Sequence, residues 1–198
     1  MRMPSATTPE VVTARDVLEL ARAAEDERTD VVYCTIDSPL GSLVAAATKV
    51  GLVALAYEDV GLKSIVERIS AQISGTIARG TTRLDEVRLQ LDEYFAGTRT
   101  EFEIPIDWML VKGYARDVLK ATAEIPYGQV MSYREVAEAT GREKAVRAAG
   151  NALGSNPIPI IVPCHRVLRS DGSLGGYTGG LEKKKHLLAL ERITPSGD

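Results

Sequence analysis

Hydrophobic and polar positions divide the chain into stretches of different period. Up to about Asp30, apolar residues gather around Val17, Leu18 and Leu20 with helical spacing but no clear inward face, so residues 1–30 read as a helix-prone extension of unassigned role. From Val31 the pattern becomes "VVYCTIDSPLGSLVAAATKVGLVALAYED". Short stretches rich in Val, Leu and Ala, broken by "SPLG" and "KVG" turns, predict a β-meander. Helical spacing returns in "LKSIVERISAQI" and in "LDEVRLQLDEYFAG", where Leu84, Val87, Leu91 and Phe95 recur and Gly97 supplies the C-cap. Residues 31–104 thus read as a small α/β unit. The extended "TEFEIPIDWML", with Pro105 inside it, marks a linker at 105–112.

Beyond it, residues 113–193 are mainly helical, and 194–198 form a tail. Between Gly113 and Pro157 the periodicity predicts three helices. Ser132 followed by Glu135 makes a capping box opening the second, Gly141 closes it, and the third begins around Glu143. Two helices joined by a tight glycine turn have helix-turn-helix geometry. One side of the third helix carries Ala145, Ala148, Ala149 and Ala152, with Gly150 between them and Arg147 projecting among them. Tight helix packing accounts for such a stripe, and so does a helix laid against a nucleic-acid groove with Arg147 as a wedge.

Composition narrows the class. The apolar fraction of 44% and charged fraction of 26% are those of a globular protein, and no apolar run is long enough to span a bilayer. The N-terminus lacks a secretory h-region with a cleavage site, so the protein is expected to work inside the cell, in the cytoplasm, or in the nucleus of a eukaryote. Two cysteines outside any CxxC pair and two histidines do not build a zinc site, so no metal is expected and Cys164 reads as a free thiol. The net charge of −3 is unevenly spread: from Met109 onward 13 Lys and Arg stand against 9 Asp and Glu. That half is basic, which suits an anionic partner.

The chemistry concentrates in "NPIPIIVPCHRVLRSDGSLGGYTGG". Pro157, Pro159 and Pro163 stiffen the approach to Cys164, and His165 beside it can take the thiol proton, with a bridging water where the two side chains diverge. Glu191 shares a face with Leu187 and Leu188 rather than with the lysines, so it points inward and could orient the imidazole, or instead reach out to water from the helix end. Asn156 reads as a turn residue before proline. The glycines around Tyr177 and Thr178 suit either a backbone that approaches a ligand closely or a plain flexible loop.

"PCHRV" with "NPIPI" upstream, "IPYGQVMSY" and "RAAGNALGSNP" before it and "GGYTGGLEKKKHLLALE" after it resemble the O6-alkylguanine-DNA alkyltransferases. The likeness covers about Gly113 to Arg192, and Val31 to Glu103 look like the weaker N-terminal domain. It implies a two-domain α/β protein: a ribonuclease H-like β-meander with helices, then a winged helix-turn-helix-like domain. It further implies that an alkylated guanine is flipped out of duplex DNA and its alkyl group passes to Cys164 once, without cofactor. By the same resemblance His165 is the base acting through water, Glu191 orients it, Asn156 supports the site and Tyr133 assists the departing guanine.

The resemblance also implies a DNA face of Ser132, Ala145, Arg147, Ala148, Ala149, Gly150 and Asn151, with Arg147 filling the gap in the duplex. The base pocket would comprise Tyr133, Val167, Gly175, Tyr177, Thr178 and Gly179, with the carbonyls of Cys164 and Val167 receiving the guanine amino group. The implied partner is double-stranded DNA containing O6-alkylguanine, and the implied unit is a monomer, with cooperative binding along DNA left open; no membrane is involved. "KGYARDVL" departs from the family's usual Phe-Gln pair, and the zinc ligands and regulatory domain of some relatives are absent. Two other readings compete: a lesion-binding relative without transfer activity, which usually carries tryptophan in place of the cysteine, and a helix-turn-helix regulator with a thiol sensor.

Overall fold

The computed structural model describes residues 29–59, 62–73, 75–80 and 82–196. The apolar positions around Val17 lie outside the described residues. β1 (Val31–Ile36), β2 (Leu43–Ala47) and β3 (Leu52–Tyr57) form the expected antiparallel meander. The periodicity missed β4 (Ile77–Arg79), too short to show an alternation, which pairs parallel to β1 and gives the order β3-β2-β1-β4.

β1 alternates as a half-covered strand should, sending Val32, Cys34 and Ile36 into the core and Tyr33 and Thr35 outward. β3 is buried along its whole length because α1 (Leu62–Gln72) covers one face and the rest of the molecule the other. α2 (Asp85–Phe95) buries Val87, Leu91 and Tyr94. The expected fourth apolar position, Phe95, is only partly buried; Tyr94 takes the inward place.

The linker is not a free tether. Leu52 N–H donates to the Pro105 carbonyl at 2.8 Å and Asp107 N–H to the Leu52 carbonyl at 2.9 Å, so the segment lies along β3. Gly51 is required for that approach, since a Cβ there would fall 2.2 Å from the Pro105 oxygen.

The second half contains α3 (Gly113–Ala123), α4 (Tyr133–Ala139), α5 (Val146–Gly154) and α6 (Leu181–Leu190). Ser132 and Glu135 form the reciprocal capping box, and Gly141 turns the chain with φ of 70°. β5 (Met131–Ser132) pairs parallel with β6 (Val167–Leu168), which brings the start of α4 beside the segment after the cysteine. One apolar cluster runs through both halves, from Val32 and Tyr94 to Val118, Cys164 and Leu187. No helix among the described residues is long and apolar enough to cross a membrane.

Candidate active site

The proline-rich run folds into a buried corner. Ile158, Ile160 and Val162 are fully buried, and Ile160 holds φ of 75°, a left-handed value that a β-branched residue adopts only under strain. The foot of the corner is tied to the sheet, Leu55 N–H donating to the Pro157 carbonyl at 2.8 Å. A short 3-10 helix, Cys164–Arg166, follows. At three residues per turn its successive side chains diverge, so neighbours in sequence face different surroundings.

Asn156 is more than a turn starter. Its Nδ2 donates to the Val162 carbonyl at 2.9 Å and to Cys164 Sγ at 3.2 Å, while its Oδ1 accepts from Ile158 N–H at 3.0 Å. The amide therefore fixes both the corner and the sulfur. Cys164 is 4% exposed. Burial pushes its thiol up to about 11, against the opposing influences of Asn156 and Lys184, so the resting group is a neutral thiol that needs a base.

The neighbouring His165 is fully buried, and its Nε2 meets Glu191 Oε1 at 2.9 Å. Burial pushes the imidazolium down more than Glu191 raises it, so the ring is neutral. Glu191 remains ionised: burial pushes its carboxyl up, but the bonds from His165 and Arg166 outweigh this and hold it at about 2. Nε2 therefore carries the hydrogen and donates it, leaving the Nδ1 lone pair as the basic site. Nδ1 is buried without a hydrogen-bond partner among the described residues.

Glu191 points inward, as its place on the helix face predicts, at 2% exposure. It holds more than the histidine. Arg166 donates Nε to Oε2 at 2.8 Å and Nη2 to Oε1 at 2.9 Å, and Tyr94 donates its hydroxyl to Oε1 at 2.7 Å. Neither partner was legible in the sequence, because an arginine after "CH" reads as surface and Tyr94 lies 97 positions away. Lys184 was missed too. It sits inside "EKKKH" yet is fully buried, giving Nζ to the Val167 carbonyl at 2.6 Å, and burial pushes its ammonium down to about 8.

A cleft of about 600 Å³ lies nearby: Tyr133 and Tyr177 in its wall both feel a charge on Cys164, although Cys164 itself is not part of the wall. Tyr133, Arg147, Gly150, Gly175, Tyr177 and Thr178 line it, together with Arg169, which sequence reasoning passed over. A Cβ at Gly175 would fall 2.2 Å from the Tyr133 hydroxyl, so a side chain there requires the Tyr133 ring to move. Val167 and Gly179, expected in the pocket, are buried outside its wall. The Val167 carbonyl already serves Lys184 and that of Cys164 accepts from Val167 N–H, so each has one lone pair in use. Gly179 packs on Tyr57, whose hydroxyl lies 2.9 Å from that of Tyr177.

The alanine stripe is not one surface. Ala149 and Ala152 are buried in the α3–α5 packing, Ala145 is half-buried, and Arg147, Ala148 and Asn151 are exposed. Tight packing thus accounts for Ala149 and Ala152, and the exposed members remain on the surface. Ser132 spends its hydroxyl oxygen on the cap. Among the described residues no three His, Cys, Asp or Glu side chains gather as a metal-binding group.

Comparison with known proteins establishes the family. Residues 31–108 match the family model of the 6-O-methylguanine DNA methyltransferase ribonuclease-like domain, and residues 113–193 that of its DNA binding domain. A methylated-DNA–protein-cysteine methyltransferase of Mycolicibacterium paratuberculosis is 41% identical over 162 residues, 82% of this chain and 93% of that one. The crystal structure of Mycobacterium tuberculosis O6-methylguanine methyltransferase superposes with a TM-score of 0.68 at 40% identity, covering 84% of this chain and 96% of that one. A structure from the same organism in complex with DNA gives 0.67 at 38%, covering 83% and 96%. With both family models matched in order and these relatives covered almost end to end, the chain belongs to the 6-O-methylguanine DNA methyltransferase family.

Proposed function

We propose that this protein reverses alkylation damage in DNA by moving the alkyl group of O6-alkylguanine onto Cys164. The observation that carries the reading is the His165–Glu191 bond of 2.9 Å, which fixes the imidazole as a neutral base next to a buried thiol. The Cys164 proton passes to His165 Nδ1 through a bridging water. Sulfur then attacks the alkyl carbon in line, an S–C bond forms as the C–O6 bond breaks, and the electron pair leaves on guanine, which takes back one proton. Tyr133 hydrogen-bonds the departing purine, and the Thr178 backbone N–H sits near the oxygen that loses its alkyl group.

The target must leave the stack, since its reactive carbon is out of reach inside a duplex. Arg147, exposed on the cleft wall, fills the space it vacates, while Ser132, Ala145, Ala148 and Asn151 face the DNA around it. Residues 113–193 carry the transfer group and residues 31–104 support it across the 105–112 linker. In this reading the working unit is a monomer, and its place of work is the cytoplasm. Thiol and leaving group supply all the electrons needed, so no cofactor takes part. A thioether does not hydrolyse, so each molecule acts once.

Mass spectrometry after mixing the protein with a duplex holding one O6-methylguanine tests this. One methyl increment on the Cys164 peptide, saturating at one per protein, is the expected result, and Cys164→Ser should bind the duplex without any increment. An increment on Cys34 would move the acceptor; binding without transfer would make the protein a lesion-recognition factor.

A further inference from the structure

Tyr94 is fully buried in the first half of the chain, yet its hydroxyl reaches Glu191 Oε1 at 2.7 Å. The ring is held by aromatic neighbours on several sides: Phe95 at 5.5 Å, Phe102 at 5.2 Å and Tyr127 at 6.2 Å between centroids. Phenylalanine would fill that space equally well, so packing alone does not call for the hydroxyl. A buried hydroxyl without a partner is costly, and this one has the carboxylate.

Oε1 receives three donors: His165 Nε2, Arg166 Nη2 and Tyr94 Oη. Oε2 receives Arg166 Nε and the Gly128 N–H. A carboxylate oxygen offers about two lone-pair directions, so the donors on Oε1 compete for its charge. We infer that Tyr94 is a positioning residue for alkyl transfer, fixing Glu191 Oε1 and limiting how much of the carboxylate's charge reaches His165. The inference rests on the reading of His165 as the base for Cys164.

The surroundings leave few other groups to do this. Arg166 and Cys164 flank His165 on the 3-10 helix, Lys184 and Glu191 come from α6 and its end, and Tyr177 stands edge-on with ring centroids 6.4 Å apart. Tyr127 lies under the Arg166 guanidinium and feels Arg192. Arg166 and Lys184 both disfavour the imidazolium, whereas Glu191 favours it. Burial and the Glu191 charge push the Tyr94 phenol far above its ordinary range, so it remains a donor at every working pH.

Tyr94→Phe returns that share of charge to His165, making the ring more basic without removing the base. The single-turnover rate of methyl transfer to Cys164 should be followed from pH 5.5 to 9 in both proteins. The acid limb of the variant should move up by about one pH unit, giving several-fold slower transfer near pH 6 and the parent rate near pH 8.5. With only two histidines in the chain, the His165 imidazole can be followed by nitrogen NMR against His186, and its midpoint should rise in step. Phe95→Leu, a packing change in the same cluster, should leave both midpoints in place.

Superimposed profiles, or a uniform loss at every pH with an unmoved imidazole midpoint, would overturn the inference and leave Tyr94 a packing residue. The imidazole titration needs no activity. If the parent protein transfers no methyl group, the functional reading fails, while the NMR midpoint still decides whether Tyr94 sets the basicity of His165.

Discussion

Replacing Glu191 by glutamine should do more than slow alkyl transfer. Read from its place on the last helix alone, Glu191 orients one histidine, and its loss would leave the fold intact. The structure gives it Arg166 in a two-pronged pair, His165, Tyr94 and the Gly128 N–H, all with the side chain out of water. A glutamine amide keeps one acceptor but turns an NH₂ toward groups that are themselves donors, and Arg166, 5% exposed, loses its counter-charge. Removing one member of a buried ion pair costs about 3–5 kcal/mol.

A second route gives a similar figure. The carboxyl is held at about 2 instead of 4.5, which corresponds to about 3 kcal/mol of stability at neutral pH. The sign follows from the direction: the contribution is complete above the unfolded value and disappears as pH falls from 4.5 through 2. For a chain of this size each kcal/mol shifts Tm by about 2–4 °C, so Glu191→Gln should lower Tm by about 6–12 °C at pH 7. The gap between parent and variant should narrow in melts repeated toward pH 3. Thermal unfolding by circular dichroism, beside a transfer assay, tests both. A variant within 2 °C of the parent at pH 7, or a gap of constant size across pH, would refute the reasoning.

Arg147→Ala should slow transfer from duplex DNA well beyond its effect on reaction with a free benzylated guanine, because the residue lines the cleft without contacting the thiol; equal losses in the two assays would remove the wedge. Gly175→Ala should nearly abolish transfer while leaving Tm within a few degrees, since the added Cβ displaces the Tyr133 hydroxyl; an unchanged rate would show that Tyr133 has freedom to move. Lys184→Met should slow transfer without loss of Tm. In the parent protein the ammonium is pushed down from 10.5 to about 8, so the unfolded chain binds more protons between those values and stability should rise with pH there. That rise should vanish from the variant in denaturant titrations at pH 7.5 and 10; an identical rise would place its origin elsewhere.

Local pattern reached much of this. Cys164, His165 and Glu191 were legible because prolines, an adjacent imidazole and a shared helix face are all short-range signals. Tyr94 was not: both it and Phe95 fall near the inward face of α2, and only tertiary packing selects which ring turns in. Lys184 was hidden by its charged neighbours, since "KKK" reads as a solvated face, yet the helix puts its middle lysine over the Val167 carbonyl. Arg166 carries no local mark of burial, because its partner lies 25 positions on. The alanines of α5 look like one stripe from spacing alone, and only packing against its neighbours α3 and α4 divides them into inner and outer members.

β3 is an edge strand, fully buried and rich in Leu, Val and Ala, and two loans of backbone close its open side. Pro105 and Asp107 of the linker bond Leu52, and the Pro157 carbonyl of the thiol loop bonds the Leu55 N–H. An apolar strand edge with unpaired N–H and C=O groups is a template for another chain. The first half produced alone, ending before the linker, would expose that edge and the apolar face behind it, and should self-associate. The loop that carries Cys164 thus also covers part of the strand edge that the first half alone would expose.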